Sequence, residues 1–192
     1  NVIRRFMLLI KSTLRTNYFQ LNANGSKKNY LSLKINSSSI PDLPLPKPAI
    51  DTFIYSSFFE GMHLRSSRVA RGGIRWSDRH DDYRTEILGL MKAQRVKNAS
   101  IIPSGAKGGF ILKDASFRVN KDIKTAKIAC YQDFIRGLLD VTDNIINNKV
   151  IHPKNMICRD ENDTYFVVAA DKGTADLSDY ANDVSNEYQF WL

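Results

Sequence analysis

Two glycine clusters constrain this chain more than any other feature. The first reads Arg71-Gly72-Gly73-Ile74-Arg75; the second reads Pro103-Ser104-Gly105-Ala106-Lys107-Gly108-Gly109. Glycine lacks the Cβ atom that keeps backbone and ligand apart, so both clusters read as turns open to close approach. Between them lie a polar link over 76–82, a helical run ending in Gln94 and Lys97, and a short apolar strand over 100–102. Each turn carries a cation and the helix delivers a third, which suits an anion with two carboxylates. Neighbouring positive charge and partial burial both disfavour the ammonium form of Lys107, so its pKa is expected to fall. A lysine that sheds its proton near neutral pH can serve as a general base or activate water. The second cluster is not a phosphate-binding P-loop, because no Ser or Thr follows Gly-Lys in the required frame.

At 192 residues the chain forms one large domain, or a domain plus an extension. A division at 48/49 fits: a helical and linker extension with one strand over 1–48, then the main domain over 49–192. A hydrophobic fraction of 43% supports a core, and a net charge of +8 points to nucleic acid, acidic lipid or anionic metabolites as partners. Cys130 and Cys158 make no disulfide framework, so a reducing cytoplasm is the default. No apolar run approaches the ~20 residues that span a bilayer. His63, His80 and His152 are scattered without metal-ligand spacing, so no metal site is expected.

Taken in order, residues 1–19 read as a helix ending near Asn17. Residues 30–35 alternate as a half-buried strand, and 37–48, which hold four of the six prolines, form a linker. Residues 50–55 and 61–65 read as paired strands. Ser77 or Asp78 caps the next helix, whose acidic start and basic end match the macrodipole. Tyr83, Ile87, Met91 and Gln94 share a face, so the glutamine at its end should line a cleft. Residues 110–112 are a further short strand. Asn120 then caps a long helix to about Ile146, with Ile123, Ala126, Cys130, Phe134, Leu138, Val141 and Ile145 facing the core. Residues 149–163 are a loop and 165–170 an apolar strand. Asp171 falls just past its end, where open α/β sheets place ligands. Residues 176–188 form a polar helix. The fold class is α/β: a mixed β-sheet flanked by helices.

Several spaced motifs carry a resemblance. They are Arg71-Gly72-Gly73, Gln94-x-x-Lys97, Pro103 with Gly105-Ala106-Lys107-Gly108-Gly109, and Ala170-Asp171-Lys172-Gly173-Thr174. In this order they resemble the substrate-binding domain of glutamate dehydrogenases, in particular the large NAD-dependent bacterial type, from about Arg15 onward. Many members of that family carry lysine where Arg71 stands. Arginine would grip a carboxylate as a fork rather than as a point charge.

The resemblance implies oxidative deamination of L-glutamate to 2-oxoglutarate and ammonium, with NAD as hydride acceptor. It implies that Lys107 and Asp171 are catalytic and that Arg71, Gly73, Gln94 and Lys97 bind substrate. Arg71 would hold the side-chain carboxylate, and Gln94 and Lys97 the α-carboxylate. Lys107 would activate water, and Asp171 would shuttle protons. It also implies a homo-oligomer. No G-x-G-x-x-G unit with a downstream acidic partner is present, so the NAD-binding domain is absent. The chain is therefore expected to be a fragment, inactive alone, that needs this domain in cis or in trans. Two alternatives remain. One is a non-catalytic dicarboxylate-binding remnant. The other is a basic nucleic-acid-binding module built on Arg65, Arg68, Arg71, Arg75 and Arg79, which the absence of interleaved aromatics disfavours.

Overall fold

The strand Phe59–Arg65 shows how the chain divides its side chains between two layers. Phe59, Gly61 and His63 turn to one side, against Phe134 and Phe166. Met62 and Leu64 turn to the other, against Tyr83, Ile87 and Met91. That alternation is the period of a strand buried on both faces. The computed structural model of the protein describes residues 2–97, 104–120, 122–169, 171 and 173–192, the side chains of 95–97 excepted.

The chain opens with α1 (Val2–Ser12), β1 (Thr13–Thr16), β2 (Tyr30–Asn36), β3 (Ile50–Ser56) and β4 (Phe59–Arg65). It continues through β5 (Ala70–Trp76), α2 (Tyr83–Lys97), β6 (Ser104–Leu112), α3 (Asp114–Val119) and α4 (Ile123–Leu139). It closes with β7 (Asn144–Ile146), β8 (Lys149–Ile151), β9 (Ile157–Cys158), β10 (Val168–Ala169) and α5 (Ser178–Glu187). Among the described residues, eight strands form one sheet in the order β10-β5-β6-β4-β3-β2-β1-β9, and β7 and β8 form a separate hairpin. β10, β5 and β6 run parallel, and the remaining neighbours antiparallel. The sheet is therefore mixed, as expected, with α2 on one face and α4 on the other. β1 and β2 belong to the same sheet as β3.

Several elements differ from the sequence reading. The first helix stops at Ser12 rather than near Asn17, and Thr13–Thr16 becomes a strand. Thr13 Oγ1 donates to the Leu9 carbonyl at 2.9 Å and ends the helix. Arg15 is drawn into the interior, where it pairs with Asp143 at 2.8 Å. The long helix runs only from Ile123 to Leu139, with 144–146 forming β7 instead, and its cap is Asp122, which accepts from the Thr125 N–H at 2.9 Å, not Asn120. Ala126, Cys130, Phe134 and Leu138 are buried as the periodicity predicts, and so is Val141 past the helix end, but Ile123 in its first turn is exposed and Ile145 falls in β7. β2 buries its polar side, Ser32 and Lys34, more deeply than Leu31 and Leu33. Lys34 is stable there because Asp160 and Asp163 lie 2.6 and 2.8 Å from its amine. A buried charge is tolerated only when paired in this way. The strand expected at 100–102, and Pro103, lie outside the described residues.

Candidate active site

Both glycine clusters are strands, not turns. β5 contains Gly72 and Gly73, and β6 contains Gly105, Gly108 and Gly109. Among the described glycines only Gly25 and Gly173 have positive φ, and neither lies in these clusters. The glycines serve close approach instead. A Cβ on Gly72 would collide with the Ala106 carbonyl, one on Gly109 with Ile87, and one on Gly108 would lie 2.9 Å from Ile74 Cγ1. Glycine inside a strand marks just such a crowded spot.

Reading β5 as a strand orders the site. Arg71, Gly73 and Arg75 alternate onto one face, while Ile74 turns into the core on the α4 side. The parallel register pairs Arg71 with Gly105 and Ile74 with Gly108, the same offset at both points. Gly73 is therefore level with Lys107, and their side-chain positions share a face. Asp171 fills the space over Gly73: a Cβ there would be 2.8 Å from Asp171 Cβ. From that position the Asp171 carboxylate makes an ion pair with the Lys107 amine, the two side chains being only 14% and 12% exposed.

The 171–174 turn holds Asp171 in place. β10 runs beside β5 with Ala169 opposite Gly73. The buried Thr174 hydroxyl donates to the Ile74 carbonyl at 2.5 Å, and the Thr174 N–H donates to the Asp171 carbonyl at 3.1 Å. Gly173, at φ +77°, lets the turn pack on Trp76.

Charge at this end of the sheet is layered. Burial pushes Lys107 down, Arg75 pushes it the same way, Glu86 opposes, and the result is about 8. The shift has the direction expected from sequence, with burial as its larger cause. Arg75 pairs with Glu86 at 2.8 Å and reaches Asp171 at 3.7 Å. Arg71 is exposed, and among the described residues no carboxylate pairs with it. Gln94 donates to the Arg71 carbonyl at 3.4 Å from the last turns of α2. Lys97 closes α2, and its side chain lies outside the described residues. The structure thus brings Gly73, Lys107 and Asp171 into contact and sets Arg71 two residues before Gly73 on β5, with Gln94 reaching its carbonyl from α2.

Arg75 and Glu86 are the site residues that the sequence reading missed. Arg75 was counted among the cations of a turn, and Glu86 among the acids of a helix start. Strand periodicity across 71–75 is the signal that would have found Arg75. The wider arginine run is committed elsewhere: Arg65 to Asp163 at 2.7 Å, with Arg68 against Glu161 and Arg79 against Asp82. These ion pairs leave little of the run for a nucleic-acid backbone.

A family model described as "Bacterial NAD-glutamate dehydrogenase, catalytic domain" matches residues 1–192. An NAD-specific glutamate dehydrogenase of Pseudomonas aeruginosa is 54% identical over 192 residues, covering all of this chain and 12% of its own length. One from Mycobacterium tuberculosis is 52% identical over 200 residues, again 100% of this chain and 12% of that protein. A more distant one, from Neurospora crassa, is 28% identical over 197 residues, covering 95% of this chain and 17% of its own.

Proposed function

Since the chain belongs to the family of bacterial NAD-glutamate dehydrogenase catalytic domains, we propose that it is the substrate-gripping part of an enzyme that oxidises L-glutamate to 2-oxoglutarate and ammonium. The chain spans about 12% of the length of its bacterial relatives. The observation that carries the reading is the contact of Lys107 with Asp171 over Gly73, beside the exposed Arg71.

The residues divide the work by charge. Arg71 takes the side-chain carboxylate of the substrate, using the fork geometry of its guanidinium. Gln94 and Lys97 take the α-carboxylate. Two anchored ends fix the α-carbon relative to Lys107 and Asp171, which is catalysis by orientation. Asp171 accepts a proton from the α-ammonium group. Once the α-carbon is oxidised to the iminium, Lys107 as free amine removes a proton from the attacking water. Asp171 then returns a proton to the departing nitrogen, which leaves as ammonia.

The nicotinamide cofactor is not held by these residues. The strand–helix–strand unit β5-α2-β6, whose strands pair in parallel, enters its helix through Ser77, Asp78, Arg79, His80, Asp81 and Asp82. That link has no glycine, and its three aspartates would repel a pyrophosphate at the helix N-terminus. NAD belongs to a domain supplied in cis or in trans, and a homo-oligomer of the whole is part of the same reading.

The test is NADH formation from glutamate. The full enzyme should produce it, and Lys107→Ala in that enzyme should abolish it. The isolated 192-residue chain should produce none until a dinucleotide domain is added. Robust NADH production by the chain alone would falsify the division of labour between domains.

A further inference from the structure

Three polar groups beside the site are left without a role by the proposed chemistry: Ser77, Glu86 and Arg75. They form a continuous line. The Ser77 N–H donates to the Phe110 carbonyl at 2.9 Å, which ties the end of β5 to β6. The Ser77 hydroxyl donates to Glu86 Oε2 at 2.6 Å, and Glu86 Oε1 accepts from Arg75 Nη1 at 2.8 Å. The other terminal nitrogen of Arg75 stands 3.7 Å from Asp171 Oδ1. The guanidinium thus spans two carboxylates, one on α2 and one past β10.

We propose that Arg75 is a positioning residue for the reaction, braced by Glu86 and Ser77 so that it holds the Asp171 carboxylate over Gly73 and against Lys107. This rests on the reading of Lys107 and Asp171 as the acid–base pair. Each part is suited to its place. One end of the fork bonds a helix acid at 2.8 Å and the other stands 3.7 Å from a loop acid, a span that an ammonium on a flexible stem cannot fix. Arg75 and Glu86 are each mostly buried, so their interaction is little screened. Asp171 comes from a short turn rather than a long strand, so it needs lateral support.

The brace also acts through charge. Among the described residues, the charged groups facing Lys107 are Arg75 from β5, Glu86 from α2 and Asp171 beyond β10. Arg75 disfavours the ammonium form and Glu86 favours it. By drawing on the Asp171 carboxylate, Arg75 further weakens the group that would otherwise keep Lys107 protonated.

The experiment uses Arg75→Met, Glu86→Gln and Arg75→Lys in the full enzyme, with two readouts. One is the pH dependence of kcat/KM for glutamate. The other is competitive acetylation of the Lys107 amine across pH, followed by peptide mass spectrometry, which requires no turnover. In Arg75→Met the Lys107 titration should move to higher pH by roughly one unit, the scale of an adjacent charge. In Glu86→Gln it should move to lower pH. Arg75→Lys should titrate near the parent enzyme yet lose kcat, because it keeps the charge without the fork. In Arg75→Met kcat should fall on the order of tenfold to a hundredfold with KM little changed. Titrations that move the same way in Arg75→Met and Glu86→Gln, or do not move, overturn the proposal. Opposite shifts in acetylation without glutamate turnover would leave the brace standing and sink the glutamate reading. Turnover with an unmoved titration would do the reverse.

Discussion

Gly73 and Asp171 share one column of space: a Cβ on Gly73 would lie 2.8 Å from Asp171 Cβ and 3.0 Å from its Oδ2. Position 73 is therefore glycine because an acid from a different part of the chain must come down onto the sheet to meet Lys107. Gly73→Ala should push Asp171 off Lys107. Overpacking of this kind costs about 1–3 kcal/mol of stability. A displaced proton carrier should lower kcat on the order of a hundredfold. Thermal melting and steady-state kinetics on the same preparation check the two effects; a variant that melts lower but keeps full kcat would show that Asp171 has no catalytic post over Gly73.

Arg71 should act on binding rather than on turnover. It is exposed and pairs with no described carboxylate, so its removal leaves the fold intact. Arg71→Ala deletes a charge-assisted hydrogen bond of about 1.5–3 kcal/mol, which is roughly tenfold to a hundredfold in KM for glutamate. Lysine at this position should recover part of the loss. Comparing KM and kcat for the two variants is sufficient, and a loss confined to kcat would speak against a carboxylate grip.

The parent enzyme should need Lys107 without its proton. With Lys107 lowered to about 8 by burial and by Arg75, kcat/KM should climb as pH rises through about 8. Below that, the ammonium cannot take a proton from water. A profile flat across this range would mean that another group activates the water.

Stability should depend on a second, unrelated charge cluster. Burial pushes Asp163 up, but Arg65 and Lys34 outweigh it and hold the carboxylate at about 2. Its folded pKa is thus below its unfolded one. The contribution is complete above about pH 4 and is lost as pH falls toward 2, on the order of 2 kcal/mol in all. Asp163→Asn should abolish that part of the pH dependence and, by taking the carboxylate from buried Arg65 and leaving Lys34 with Asp160 alone, cost about 3–5 kcal/mol. Urea midpoints measured near neutral pH and in mild acid for both proteins decide it.

Much of this architecture was legible in the sequence because it follows from side-chain period. The paired strands expected at 50–55 and 61–65 are there, as Ile50–Ser56 and Phe59–Arg65, and most of the expected stripe of α4 is buried. The Gln94 end of α2 also lies at the candidate site, as its face implied. The glycine clusters misled for a physical reason. Glycine permits both bending and crowding, and only the neighbours tell which applies. Those neighbours, Asp171, Ala106 and Ile87, are distant in sequence or in another strand. The buried side of β2 was hidden likewise, because Lys34 can be internal only when Asp160 and Asp163 fold back to meet it. Arg75 and Glu86 were visible as residues but not as a pair, since a turn has no alternating face to align them.

The most direct measurement is kcat for Lys107→Met, Asp171→Asn and the two combined, in the full enzyme. Groups that act as one unit are non-additive. Each single variant should lose nearly all that the double variant loses. Losses that multiply, or a single variant that keeps near-parent kcat, would contradict a Lys107–Asp171 pair working together over Gly73.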